Sequence, residues 1–151
     1  MAGLFIFTYL HMSYTRILIH AVWSTKGRSR VLDKTNKHLL IQHIHENAVS
    51  KDIQVHNVNG DADHLHCFFT LAATQTVAQV INLIKGESSY WANRNLQLPE
   101  MLVWQNEYYA VSVSESHFDI VNRYIDNQEE HHKHKSYDDE QRELEVLYPK
   151  G

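Results

Sequence analysis

The chain has 151 residues, 43% of them hydrophobic and 21% charged, with 5 Gly and 2 Pro, the profile of one compact domain with a real core and no room for a second. Its formal net charge is −4 and Cys67 is its single cysteine, which excludes an internal disulfide framework and a Cys-x-x-Cys zinc knuckle and fits a reducing cytoplasm. Twelve histidines are the one compositional pointer to metal chemistry.

The charge is unevenly spread. Between Met1 and Thr35, Arg16, Lys26, Arg28, Arg30 and Lys34 face only Asp33. Between Ser136 and Gly151, Asp138, Asp139, Glu140, Glu143 and Glu145 outnumber Arg142 and Lys150. A basic patch on an acidic average permits a nucleic-acid partner without indicating one.

The apolar start GLFIFTYLHM is too short to span a membrane, and no basic region precedes it as a signal peptide requires. With Met12 as the natural start, residues 1–11 are expected to be an upstream extension or an added strand without a catalytic role. Thr15 to Trp23 (TRILIHAVW) is rich in β-branched and apolar residues and reads as a strand. STKGRSR then forms a basic turn. A helix is expected from Asp33, as N-cap, to about Ser50, with Leu40, Ile41, Ile44 and Ala48 on one stripe. Ile53 to Val58 reads as a second strand, Asn59-Gly60-Asp61 as a turn, and His64 to Leu71 as a third strand.

Thr76 caps the clearest helix, in which Val77, Val80, Ile81, Ile84, Ser88 and Trp91 keep helical spacing; the stretch from Asn95 to Pro99 ends it. Tyr108 to Val113 is a fourth strand. Ser116-x-x-Asp119 resembles a capping box opening a third helix over residues 117 to about 132. Residues 136–151 are expected to be a peripheral acidic tail. The order β-α-β-β-α-β-α predicts an α+β fold: a ferredoxin-like split β-α-β, a four-stranded antiparallel sheet with helices on one face, plus a C-terminal helix. That architecture names no function by itself.

Two places could carry chemistry. His64 and His66 sit two apart on a predicted strand, so both imidazoles share a face, half of a divalent-metal site. The plainer account is two half-exposed sheet histidines. Tyr124 and Gln128, four apart on a helix, are surface neighbours, and His117 falls within about 40° of both at 100° per residue. The plainer account is a packing tyrosine and a solvated glutamine. Asp63 has the wrong parity to join His64 on a flat strand, whereas Asp61 approaches from the turn. Lys26, Arg28 and Arg30, with Lys85 next, are the candidate phosphate contacts. Tyr90 could stack on a base, while Trp23 reads as core. His131, His132 and His134 form a basic cluster at a helix end and are not assigned as a site.

With these residues in view, the sequence resembles the HUH-type single-tyrosine transposases of small bacterial insertion sequences and their relatives associated with REP palindromes. HAVWSTKGRSRVL (His20 to Leu32) is similar to the family's first strand and basic turn, and DHLHCFF (Asp63 to Phe69) to its His-hydrophobic-His strand. LIKGESSYWAN (Leu83 to Asn93) resembles its Lys-Gly-x-Ser-Ser helix, and YIDNQ (Tyr124 to Gln128) its Tyr-x-x-x-Gln signature. Together they cover roughly Tyr14 to Lys135, in the family's order.

The resemblance implies that His64, His66 and Gln128 hold Mg2+ or Mn2+ and that Tyr124 is the nucleophile. Single-stranded DNA, at hairpin ends of an insertion sequence, would be cut through a 5′-phosphotyrosine. Plasmid relaxases use a third His and usually place the tyrosine before the paired histidines; Gln128 and the order here fit the transposases better. The resemblance also implies a homodimer, a cytoplasmic protein associated with the nucleoid when on DNA, and no membrane partner. The alternatives are a domesticated or replication-type nuclease of the same superfamily and a non-catalytic nucleic-acid-binding module.

Overall fold

A computed structural model describes residues 13–130 and 136–150. The expected 1–11 extension and the His131, His132 and His134 cluster lie outside the described residues. Among those described, no helix is long and apolar enough to cross a membrane.

In chain order the elements are β1 (Ile17–Ser24), α1 (Lys34–Ser50), β2 (Gln54–Asp61), β3 (His64–Leu71), α2 (Val77–Asn95), β4 (Tyr109–Val113), α3 (Phe118–Asp126) and α4 (Tyr137–Leu147). The strands form one antiparallel sheet in the order β2-β3-β1-β4. β3 therefore lies between β1 and β2, which is the expected split β-α-β. The helix starts follow their caps. The Asp33 side chain accepts from the Asn36 backbone N–H, and Thr76 and Gln79 close a reciprocal capping box.

Alternation along the two central strands sorts the core into two layers. Ile19, Ala21 and Trp23 of β1 with Leu65, Cys67 and Phe69 of β3 pack against Leu40, Ile44 and Ala48 of α1 and Val80, Ile81 and Ile84 of α2. On the opposite face Leu18, Phe68 and Val113 pack against Val121 and Ile125 of α3. Val121 and Ile125 are both 0% exposed, and burying each contributes about 1.5–3 kcal/mol. Polar ties add direction. Asn59 Nδ2 donates to the Ile125 carbonyl at 3.0 Å and Asn57 Nδ2 to Asp126 Oδ1 at 2.8 Å, so β2 supplies donors to the open carbonyl end of α3.

Three expectations change. Asn59, Gly60 and Asp61 are not a turn: they extend β2 and pair with His66, Leu65 and His64, leaving Ala62 and Asp63 as a two-residue corner. Asn-Gly favours a hairpin turn locally, but here Gly60 serves close packing, because a Cβ on it would lie 2.1 Å from the His64 carbonyl oxygen. No capping box opens α3: a 3-10 turn at Glu115–His117 precedes it, His117 stands at the cap without a side-chain bond to the backbone, and the Ser116 hydroxyl bonds to His117 Nδ1 instead. The helix also stops at Asp126, with Asn127 in a turn and residues 128–130 in a further helical segment.

The corner positions the basic turn. The carbonyls of Asp63 and Ala62 accept from the backbone N–H groups of Thr25 at 2.8 Å and Leu32 at 3.0 Å. Gly27 and Arg28 there have φ of 66° and 54°, left-handed values that glycine adopts readily and arginine seldom.

Candidate metal and tyrosine site

His64 and His66 lie on the α3-facing side of β3, both 0% exposed, with ring centroids 5.4 Å apart. A carboxylate sits between them. Glu140 of α4 brings Oε2 to 2.9 Å from His64 Nε2 and Oε1 to 2.6 Å from His66 Nε2. The Tyr124 hydroxyl donates to the same Oε1 at 2.9 Å, and its ring stands edge-on to His66, centroids 5.6 Å apart. Gln128 is 0% exposed and lies against Tyr124, its amide Nε2 3.4 Å from the Tyr124 carbonyl.

Each ring is held from behind. His64 Nδ1 lies 2.8 Å from Asp63 Oδ1, and His66 Nδ1 lies 2.9 Å from His20 Nε2. The parity argument about Asp63 thus holds in part: it stands at the corner, turned to the far nitrogen of His64.

Electrostatics follow from this crowding. Burial works against the charged form of His64, but Asp63 on one nitrogen and Glu140 on the other raise it to about 9. Burial also acts on Asp63, yet the His64 contact holds its carboxyl below the usual range. The Tyr124 phenol is pushed up, first by burial and then by the Glu140 charge, against a smaller opposing pull from Gln128. His64, His66 and Glu140 each offer a donor atom, all within 4.8 Å of one another. This buried His-His-Glu cluster could hold a metal ion: two imidazole nitrogens and a carboxylate are a donor set for a first-row divalent cation.

Glu140 is the residue that sequence reasoning missed. Segment 136–151, expected to be a peripheral acidic tail, contains α4, in which Glu140 is 1% and Leu144 3% exposed. A signal was present: Ser136 and Asp139 form a reciprocal capping box, and Glu140 and Leu144 share a face by their spacing.

The remaining candidates are dispersed. Lys26 is exposed on the basic turn. Arg28 is paired with Asp138 at 2.9 Å and Arg30 with Asp61 at 3.3 Å. Asp61 therefore reaches toward the basic turn. Lys85 departs from expectation: it is 7% exposed and donates through Nζ to the Gln105 and Asn106 carbonyls at 2.6 and 3.1 Å. It fastens the stretch before β4. His117 is exposed and bonded to Ser114 Oγ at 2.7 Å, apart from this cluster. Tyr90 is exposed, with the Arg94 guanidinium over its ring at 4.4 Å. Trp23 is core, edge-on to Trp104 at 6.2 Å.

The family model described as IS200-like transposase matches residues 13–128. No curated protein sequence matches the chain. Among solved structures, a crystal structure of a transposase candidate from Deinococcus radiodurans R1 is similar at a TM-score of 0.61 and 20% identity, covering 77% of this chain and 93% of that one. A REP-associated tyrosine transposase bound to a REP hairpin is similar at a TM-score of 0.57 and 16% identity, covering 80% of this chain and 72% of that one. At these identities the likeness is one of fold.

Proposed function

The chain belongs to the IS200-like transposase family, and from that premise we propose that it cuts and rejoins single-stranded DNA through a covalent link to Tyr124. The observation that carries the reading is convergence: the phenol of Tyr124 and the Nε2 atoms of His64 and His66 all meet one carboxylate within 2.9 Å.

His64, His66 and Gln128 would hold the divalent cation, Mg2+ or Mn2+, with Glu140 adding a carboxylate oxygen. Bound there, the cation supplies charge neutralisation at the scissile phosphate. The residues do the rest. Tyr124 Oη attacks phosphorus and the bond to the 3′ oxygen breaks with its electron pair on that oxygen, which takes a proton from water, leaving a 5′-phosphotyrosine and a 3′-hydroxyl. The phenol proton passes toward Glu140 Oε1, its hydrogen-bond acceptor at 2.9 Å. Because the tyrosyl ester conserves the bond, a 3′-hydroxyl from another end reverses the step and joins new strands.

Lys26, Arg28 and Arg30 would contact backbone phosphates as the strand approaches, since the basic turn is fastened to the corner that carries Asp63. The expected substrate is a hairpin end of a mobile element, and the expected assembly is a homodimer. β4 lies at one edge of the sheet.

A covalent-capture assay tests the reading. Wild type, mixed with single-stranded DNA from both ends of the encoding locus and Mn2+, should give a denaturant-resistant protein–DNA adduct, and Tyr124→Phe should give none. An adduct of undiminished yield from Tyr124→Phe would remove Tyr124 as nucleophile.

A further inference from the structure

We propose that His20 is a positioning residue of the metal site: it holds His66 through Nδ1 in the orientation and tautomer that aim the Nε2 lone pair at a divalent cation, and Tyr148 holds His20 in turn. This rests on the reading of His64 and His66 as cation ligands.

An imidazole binds a cation through one nitrogen only when that nitrogen carries no proton. The proton then sits on the other nitrogen and, in a buried place, needs an acceptor. His66 and His20 are both 0% exposed, so bulk water does not reach them. Sheet register brings the two rings together: His66 pairs with Val22, which places His20 two residues along β1 on the same face, a diagonal neighbour. His20 Nε2, 2.9 Å away, is the acceptor for the His66 Nδ1 proton. Accepting there puts the proton of His20 on its own Nδ1, 2.8 Å from the Tyr148 hydroxyl oxygen, which accepts it. With His66 loaded, each ring has one permitted tautomer.

With Nε2 accepting from His66 and Nδ1 donating to Tyr148, His20 serves as a neutral ring. The two ligands are therefore supported by different chemistry: the Asp63 carboxylate behind His64 and a neutral ring behind His66. Tyr148 lies beyond the 13–128 stretch that the family model matches, so the outermost member of this hydrogen-bonded series comes from the C-terminal segment that also carries Glu140.

The test is Mn2+ titration of wild type, His20→Phe and His20→Gln, followed by the paramagnetic resonance of unbound Mn2+, with melting in chelator as the folding control. Phe keeps a ring but offers no acceptor, and Mn2+ affinity should fall about 10–100-fold. Gln places an amide oxygen near the position of Nε2 and should recover most of that loss. In Mg2+-loaded, 15N-histidine-labelled wild type, His66 should carry its proton on Nδ1. Tyr148→Phe removes only the acceptor of the His20 Nδ1 proton and should lower Mn2+ affinity by less than His20→Phe does, whereas wild-type affinity in Tyr148→Phe would overturn the part given to Tyr148. Wild-type affinity in His20→Phe, or a His66 proton on Nε2 in the loaded protein, would overturn the positioning role and leave the metal site standing. Failure of wild type itself to bind Mn2+ would overturn the metal site, and His20's role with it.

Discussion

Tyr148 and Tyr109 show how single side chains couple this fold to pH. Burial raises both phenols above their ordinary value, and Tyr109 adds to the rise at Tyr148 as Glu145 does at Tyr109. In the unfolded chain both lose their protons near about pH 10. In the folded chain they keep them longer, so above that pH the folded state binds more protons and stability falls as pH rises. Cys67, whose thiol burial pushes up to about 12, acts in the same direction. A urea midpoint that declines on the alkaline side, and less steeply in Tyr148→Phe, is expected; identical slopes would mean that Tyr148 titrates as it does in the unfolded chain. Glu140 is the residue-scale lesson in legibility. Spacing puts His64 with His66 and Tyr124 with Gln128 on shared faces, because strand and helix periods are local, and the family resemblance is what singles them out as a site. Glu140 is one of five acids between Ser136 and Gly151, and its selection depends on how α4 docks, which no local period encodes. Glu140→Gln keeps the shape and removes the charge. It is expected to weaken Mn2+ binding about tenfold or more, whereas unchanged affinity in a metal titration would exclude Glu140 from the donor set.

From β1 to α3 the elements were legible in order and type, α4 was not, and the element ends were legible only in part. The capped starts of α1 and α2 appear as expected because Asp33 and Thr76 carry their own hydrogen-bond acceptors into the first turn. The Asn-Gly sequence at the end of β2 misled because pairing with β3 outweighs a local turn preference once Gly60 can lie flat against His64. Gly60→Ala should therefore do more than a surface change in a strand: the added methyl meets backbone, so the strands must part, at a cost of about 1–3 kcal/mol. Equilibrium unfolding in urea would register this, and a midpoint equal to that of wild type would show that the hairpin yields without strain. The break at Asn127 was equally hidden, since residues 117 to about 132 read as one continuous helix.

For the whole molecule, the charge asymmetry of the sequence becomes a contact in space. Arg28 of the basic turn is paired with Asp138 at the start of α4 at 2.9 Å, so a phosphate that uses Arg28 has to displace a carboxylate. Asp138→Asn is expected to tighten single-stranded DNA binding a few-fold and to steepen its salt dependence by about one counterion, read by fluorescence anisotropy across a salt series. No change in slope would place Arg28 outside the DNA footprint. The acidic C-terminal segment thus tempers the affinity of the basic N-terminal region, and a net charge of −4 understates the pull the turn would exert by itself.

The two-residue corner at Ala62 and Asp63 has a consequence for where this chain tolerates a change of length. It closes β2 on β3, sets Asp63 behind His64, and hands two carbonyls to the backbone of Thr25 and Leu32. One residue inserted there would break all three relations together, because side chains alternate between faces at every step along a strand. A one-residue slip of β3 would turn both imidazoles into the apolar layer beneath α1 and α2 and bring Leu65 and Cys67 up in their place. The corner therefore acts as a ruler for the chain, and a library of single-residue insertions should find it among the least forgiving positions, far less permissive than the exposed Ala73 and Thr74 between β3 and α2.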